Sequence, residues 1–171
     1  MEVPFLEKGN KNTEFAAVSA LLDNLSFPKQ KRKNISNETV EGFVLGYIIP
    51  RGKGLWAGKL PRLSSKSTQQ EYKKIYELLK QIAPAEFKYT TIQVNKNVKC
   101  KKHIDRYNKK DSMIIGLGDY TEGALRIYDK KDNYEDINIK NKFHIFNGSN
   151  YHETLDWTGT RYSVVYFSLI P

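Results

Sequence analysis

The half of the sequence that follows Pro84 is a succession of short runs rich in β-branched and aromatic residues, separated by Gly, Asn and Asp. The runs have the composition of strands, and the residues between them are those of turns. No helical pattern separates the runs, which favours an antiparallel barrel or jelly roll over a parallel sheet. The predicted strands are FKYTTIQVN, SMIIGLG, GALRIYD, INIKNKFHIFN and RYSVVYFSLI.

Two amphipathic helices are predicted in the first half of the chain, over residues 13–25 and 68–83. Apolar residues recur in both at spacings of three and four, which predicts a face that packs on a sheet. The two stripes are Phe15, Val18, Leu22 and Leu25, and Tyr72, Ile75, Leu79 and Ile82. The second helix is predicted to begin with a capping box of Thr68 and Glu71 and to end before Pro84.

The length of 171 residues fits one domain. We expect a mainly β fold with N-terminal helices, in which residues 1–84 form a helical and loop support region and residues 85–171 form the core. Between the helices, GFVLGYIIP is a predicted strand, and the lysine-rich residues 28–34 are predicted to be a solvated loop.

The formal charge of +9 points toward a polyanionic partner, although the abundance of Lys throughout the chain could equally reflect composition alone. No apolar run approaches the roughly 18 residues that span a bilayer, and the N-terminus lacks the layout of a secretory signal. The single Cys100 excludes an internal disulfide. We expect a soluble intracellular monomer, in the cytoplasm or nucleus, with no membrane partner.

The chain has three histidines, and one of them, His103, stands two residues before Asp105. In an extended segment such residues project to the same side, so that an imidazole and a carboxylate can face one point. His152, after a turn-like Gly-Ser-Asn, is the candidate third ligand. Two imidazoles and a carboxylate suit Fe(II) and leave positions open for a co-substrate and dioxygen. His144 is predicted to occupy an ordinary strand position, with a contact to the substrate as the alternative.

Arg161 begins the most strongly β-like run of the chain, nine residues after His152. A dicarboxylate that chelates a metal through one end needs a cation at the other, and Arg offers a planar fork for a carboxylate. Ser163 lies two residues further on the same strand face, where its hydroxyl can donate a further hydrogen bond.

These motifs, in this order, resemble the Fe(II)- and 2-oxoglutarate-dependent oxygenase superfamily. Within it they resemble the branch of the ten-eleven-translocation and J-binding-protein nucleic-acid base oxygenases and their viral and protist relatives. The similarity runs from about Glu86 to the C-terminus. It rests on IQVNKNVKCKKHIDRYN, IIGLGDYTEGALRIYD and FNGSNYHETLDWTGTRYSVVYF.

The resemblance implies a double-stranded β-helix with its metal between two sheets. It also implies that His103, Asp105 and His152 bind Fe(II) and that Arg161 and Ser163 bind the distal carboxylate of 2-oxoglutarate. With dioxygen, such a centre oxidises a substrate C–H bond and releases succinate and carbon dioxide.

The resemblance further implies that Asn108 contacts the target base, and Asn95 is a candidate additional contact to 2-oxoglutarate. Where relatives often have paired glycines, this chain has Glu122 and Gly123. We expect a DNA or RNA substrate, oxidised on a methyl group such as that of 5-methylcytosine or thymine. The basic segment RGKGLWAGKLPR is predicted to grip it, with Lys53 on a phosphate and Trp56 stacked on a base. A lid or surface loop with Trp56 packed in the core is the alternative interpretation.

Two other functions stay open at this point. One is a protein hydroxylase with the same iron centre, although familiar prolyl hydroxylases usually carry Lys at the position of Arg161. The other is a non-catalytic jelly-roll binding module, for which the complete set of ligands would be a coincidence. Turnover of 2-oxoglutarate separates an enzyme from a module.

Overall fold

The fold, taken from a computed structural model, is mainly β and is described for residues 11–49, 60–106 and 108–170. The helices of this part are α1 (Lys11–Asp23), α2 (Ser65–Thr68) and α3 (Gln70–Ile82). The N-terminal strands are β1 (Lys29–Lys31), β2 (Thr39–Ile48) and β3 (Arg62–Leu63). The later strands are β4 (Thr91–Lys96), β5 (Ser112–Leu117), β6 (Tyr120–Glu122), β7 (Leu125–Tyr128), β8 (Tyr134–Ile137), β9 (His144–Phe146), β10 (His152–Thr154), β11 (Trp157–Gly159) and β12 (Tyr162–Phe167).

The larger sheet has the order β1-β2-β4-β12-β5-β9, with β3 paired to β2. A three-stranded sheet has the order β10-β7-β8, and β11 pairs with β6. The pairs of strands named above are antiparallel, as the absence of crossover helices predicted. The first half of the chain therefore contributes strands to the same sheet as the second half.

The helices α1 and α3 pack on the larger sheet through the apolar stripes that the sequence predicted. Seven of the eight stripe residues are buried, and Leu25 is partly buried against them. They form one core with side chains of β2, β4, β5 and β12. Among the described residues no helix has the length and apolar character that a membrane crossing requires.

Two local predictions were wrong. Thr68 does not cap the second helix: it ends α2, where its hydroxyl donates to the carbonyl of Ser65, and Gln69 precedes α3 without a side-chain cap. INIKNKFHIFN is not one strand, because β8 ends at Ile137 and β9 begins only at His144. Asn141, between them, has a φ of 56°, a turn conformation that Asn tolerates.

The prediction of a solvated loop over residues 28–34 was also wrong. Lys29 to Lys31 form the edge strand β1, which pairs with β2. Along this segment the side chains alternate between exposed and half-buried, so that Gln30 and Arg32 turn toward the protein while Lys31 and Lys33 face solvent. Arg32 reaches a cavity at the centre of the candidate site.

A cavity of about 100 Å³ lies between the sheets. Its walls come from β4, β5 and β12 of the larger sheet, from β7 and β10 of the smaller one, and from the loop that follows β4. The polar side chains of the candidate site project into this space.

Candidate metal centre

His103 and His152 come from distant parts of the chain and meet as a pair of bridged residues. The backbone N–H of each donates to the carbonyl of the other at 3.0 Å. His152 begins β10, after a turn in which the N–H of Asn150 donates to the carbonyl of Asn147. This backbone bridge places the two imidazole rings with their centroids 4.3 Å apart.

A backbone carbonyl fixes the orientation of each imidazole. Nδ1 of His103 lies 2.6 Å from the carbonyl oxygen of Lys101, and Nδ1 of His152 lies 2.8 Å from that of Asn150. An Nδ1–H that donates to a carbonyl leaves Nε2 of the neutral ring with a free lone pair. Both Nε2 atoms point toward Asp105, which is the arrangement of a histidine ready to bind a metal.

Asp105 completes the cluster. Its Oδ1 lies 3.5 Å from Nε2 of His103, and its Oδ2 lies 3.3 Å from Nε2 of His152. Burial alone would raise the pKa of the Asp105 carboxyl, but the two histidines outweigh that effect and hold the pKa well below its usual range. The carboxylate is therefore ionised at neutral pH.

The three side chains have the donor chemistry of a metal site. One nitrogen or oxygen from each lies within 4.8 Å of the others, and both histidines are buried. Gly148 makes room for this cluster, because a Cβ at its position would lie 3.2 Å from Oδ2 of Asp105. Two imidazoles and one carboxylate, with open space beside them, match the requirements of Fe(II).

Arg161 enters the same cavity from the position immediately before β12. It is 2% exposed, and its guanidinium carbon lies 5.6 Å from the ring centroid of Tyr120 and 5.7 Å from that of Trp157. Its Nε donates to the carbonyl of Gly123 at 3.1 Å, whereas its Nη2 is buried without a hydrogen-bond partner among the described residues. Burial lowers the pKa of the Arg161 guanidinium. A buried cation with an unused donor fits the carboxylate of a bound dicarboxylic acid.

Ser163 and Asn95 lie side by side on β12 and β4 and also line the cavity. Nδ2 of Asn95 donates to the hydroxyl of Ser163 at 3.1 Å. Oδ1 of Asn95 accepts hydrogen bonds from Gln93 at 3.0 Å and from Arg32 at 3.1 Å. Asn95 thus links the wall beside Arg161 to the N-terminal segment of the chain.

Arg32 is a basic residue of the cavity that the sequence did not reveal. It lies in a run of polar residues with no hydrophobic alternation, so the pairing of β1 left no periodic signal. The register of β1 on β2 determines which side chains of this run turn inward. Without that register, Arg32 cannot be distinguished from its basic neighbours.

The other predicted site residues have different positions. Asn108 is half-buried at the cavity, where its Nδ2 donates to the hydroxyl of Ser112 at 3.0 Å. His144 lies half-buried on β9, and burial lowers its pKa. Trp56 and Lys53, the predicted base-stacking and phosphate contacts, lie outside the described residues.

No protein-family model and no curated protein matches this sequence. Solved structures do resemble the fold. An oxidoreductase of the 2OG-Fe(II) oxygenase family from Burkholderia pseudomallei has a TM-score of 0.58 at 16% identity, over 91% of this chain and 78% of that one. NgTET1 in complex with 5mC DNA has a TM-score of 0.52 at 14% identity, over 74% of this chain and 60% of that one. A prolyl hydroxylase from Trichoplax adhaerens, in complex with a peptide of the hypoxia inducible factor oxygen degradation domain, has a TM-score of 0.52 at 13% identity, over 91% and 76%. At these identities the likeness shows a shared fold.

Proposed function

We propose that this chain is an Fe(II)- and 2-oxoglutarate-dependent dioxygenase with a double-stranded β-helix core, and that it oxidises a nucleic-acid base. One observation carries the assignment: the His103–Asp105–His152 cluster and the unpartnered guanidinium nitrogen of Arg161 open into a single cavity of the described structure. A dicarboxylate that chelates a metal through one end requires metal ligands on one side of a cavity and a buried cation on the other.

Each polar residue has a defined task in this proposal. Nε2 of His103, Nε2 of His152 and the carboxylate of Asp105 hold Fe(II). Arg161 receives the distal carboxylate of 2-oxoglutarate through its planar fork, and the Ser163 hydroxyl donates to the same group. When bound, iron, 2-oxoglutarate and dioxygen supply the oxidation of a substrate C–H bond with release of succinate and carbon dioxide.

The protein itself orients these groups and excludes water. The two carbonyls that accept from Nδ1 keep both imidazoles in one tautomer and one orientation. Phe146 supports this arrangement by packing edge-on to His152, with 5.0 Å between the ring centroids. Ile114, Leu125 and Phe146 form an apolar wall of the cavity, which keeps bulk water from the reacting C–H bond.

The charge of the chain and the likeness to NgTET1 in complex with 5mC DNA support a nucleic-acid substrate. Asn108 lies at the cavity beside the metal cluster, where its amide can offer a donor and an acceptor to the edge of a flipped base. The methyl group of 5-methylcytosine or thymine is the type of C–H bond we assign.

A protein hydroxylase is the second candidate, and one observation favours it. The peptide-bound prolyl hydroxylase has the same TM-score as NgTET1, and a larger share of this chain aligns with it. The iron centre is the same in both proposals. They differ in the substrate that enters the cavity, which is a nucleic-acid base in the first and an amino-acid side chain in the second.

Incubation with Fe(II), 2-oxoglutarate and mixed DNA and RNA, followed by mass spectrometry of nucleosides, tests the proposal. We expect an oxidised nucleoside that forms only when both Fe(II) and 2-oxoglutarate are present. Unmodified nucleosides, together with a hydroxylated peptide from a peptide library treated in parallel, would assign the chain to the protein hydroxylases instead.

A further inference from the structure

A basic groove of about 440 Å³ lies outside the cavity. Lys31, Arg32 and Lys33 line it from β1 and the residues that follow, and Arg106 lines it from the loop that carries Asp105. Asp105, the candidate metal ligand, is the one carboxylate among the described residues that line the groove. We call this surface, formed by Lys31, Arg32, Lys33 and Arg106, the basic groove.

The basic groove is continuous with the cavity of the metal centre. Arg32, Asp105, Asn108 and Phe167 line both spaces. A ligand that lies along the groove therefore passes directly beside the metal cluster. The groove therefore offers an approach to the site for a substrate too large to fit inside the cavity.

The cations of the basic groove differ from several others on the surface in their pairing with acidic side chains. Lys99, Lys102 and Arg126 each form an ion pair, with Asp156, Asp132 and Asp136 respectively. Within the described ranges, no ion pair involves Lys31, Arg32, Lys33 or Arg106. Such a cluster of unpaired positive charge attracts a polyanion.

Arg32 connects the basic groove to the cavity wall that carries Asn95 and Ser163. Its Nη1 donates to Oδ1 of Asn95, and Asn95 in turn donates to Ser163, the residue assigned to 2-oxoglutarate. The side chain is half-buried, unlike those of Lys31 and Lys33, which are exposed. A phosphate held by Arg32 would thus be anchored at the mouth of the cavity itself.

We propose that the basic groove binds the phosphates of a nucleic-acid strand while one base of that strand enters the cavity. This inference rests on the proposed function and assigns the surface that holds its substrate. A nucleotide joins a charged phosphate to an uncharged aromatic base, which matches a basic groove that opens into a cavity with an apolar wall of Ile114, Leu125 and Phe146. A peptide of acidic residues alone would match the groove but would place a charged carboxylate, and not an uncharged ring, against the apolar wall of the cavity.

The experiment measures binding of labelled oligonucleotides by fluorescence anisotropy at several salt concentrations. The probes are single-stranded DNA, duplex DNA and RNA of one sequence, with a labelled polyglutamate peptide as the protein-like polyanion. The groove variants are Lys31→Gln/Lys33→Gln and, from the other side of the groove, Arg106→Gln. The matched control is Lys73→Gln/Lys74→Gln, which removes two exposed charges on α3, away from the groove.

Wild type and the α3 control should bind an oligonucleotide with the same steep dependence on salt. Each groove variant should bind at least about tenfold more weakly at low salt, and the log–log slope should become shallower by about 0.7–0.9 for each phosphate that the variant no longer neutralises. Equal weakening by the α3 control, or a groove variant that binds like wild type, would overturn the assignment of this surface. Preference for polyglutamate over all three nucleic acids would overturn the assignment of its ligand.

Metal binding and the melting temperature of each variant are measured in parallel. A groove variant that retains metal binding and the wild-type melting temperature has lost the positive charge of the groove while its fold is intact. If wild type binds no Fe(II) and yet the groove variants lose oligonucleotide binding, the proposed function fails while the basic groove stands. If Fe(II) binds and no nucleic acid does, the groove assignment fails and the oxygenase assignment stands.

Discussion

His103 and His152 exchange two backbone hydrogen bonds of 3.0 Å, so that the fold itself, through the pairing of a loop with β10, sets the distance between the two imidazoles. The backbone pairing thereby fixes the separation of the two candidate ligands. Asp105 is held beside them because its N–H donates to the carbonyl of Gly148 at 2.8 Å.

Replacing any one member of this cluster should abolish tight metal binding. For His103→Ala, Asp105→Ala or His152→Ala we expect Fe(II) affinity to fall by more than the roughly 10–100-fold that is typical of changes around a metal ligand. Anaerobic titration calorimetry measures the affinity and the stoichiometry. His144→Ala is the matched control, since it removes the remaining histidine of the chain, and wild-type binding is expected of it.

Arg161→Lys retains the charge but loses the planar fork and its second donor. One charge-assisted hydrogen bond contributes about 1.5–3 kcal/mol. The apparent affinity for 2-oxoglutarate should therefore fall by roughly 10–100-fold while Fe(II) affinity is retained. The control is Arg126→Lys, a surface position paired with Asp136. Unchanged dependence on 2-oxoglutarate in the Arg161 variant would show that another group anchors the carboxylate.

Gly123→Ala should displace the side chain of Arg161 and leave the candidate metal ligands in place. Gly123 has a φ of +67°, and a Cβ there would lie 3.0 Å from Nε of Arg161 and 2.9 Å from Cβ of Trp157. We expect a loss of about 1–2 kcal/mol in the free energy of unfolding from the left-handed backbone, and a weaker apparent affinity for 2-oxoglutarate. Gly46→Ala, also at positive φ but on β2, should destabilise the fold and leave the co-substrate affinity unchanged.

Leu79→Ala tests the packing of α3 on the larger sheet. Leu79 is fully buried in the main core, and removal of such a side chain costs about 2–5 kcal/mol. Urea denaturation measures the free energy of unfolding. Lys74→Ala, on the exposed face of the same helix, should change it by less than about 0.5 kcal/mol. Similar losses in both variants would contradict the assigned face of α3.

The helix faces that the sequence predicted are those with a hydrophobic period, whereas the buried strands β4 and β5 were indicated by their β-branched and aromatic composition. The stripe of α3 identified its buried face because Tyr72, Ile75, Leu79 and Ile82 recur at helical spacing. Thr68 and Glu71 matched a local motif, but the chain there forms a separate short helix, and α3 begins after Gln69. Local capping patterns do not determine which of two neighbouring turns a residue joins.

For the candidate site, the residue types indicated three side chains that the structure brings together, whereas the polarity of a segment did not indicate Arg32. His103, Asp105 and His152 were recognisable because the chain has few histidines and because the spacing of the first two lets both side chains face one metal ion. Arg32 had no such signal, because it directly follows β1, an edge strand of polar residues, and its own side chain contacts a polar group, Asn95. The structure was needed to distinguish it from Lys31 and Lys33.

Conversion of 2-oxoglutarate to succinate by the purified protein, with Fe(II) and nucleic acid, tests the oxygenase assignment most directly. We expect succinate that depends on Fe(II), is lost in Asp105→Ala, and requires a higher concentration of 2-oxoglutarate in Arg161→Lys. A wild-type protein that binds Fe(II) through the cluster but leaves 2-oxoglutarate unconverted, with nucleic acid and with peptides alike, would contradict it and indicate a non-catalytic binding module.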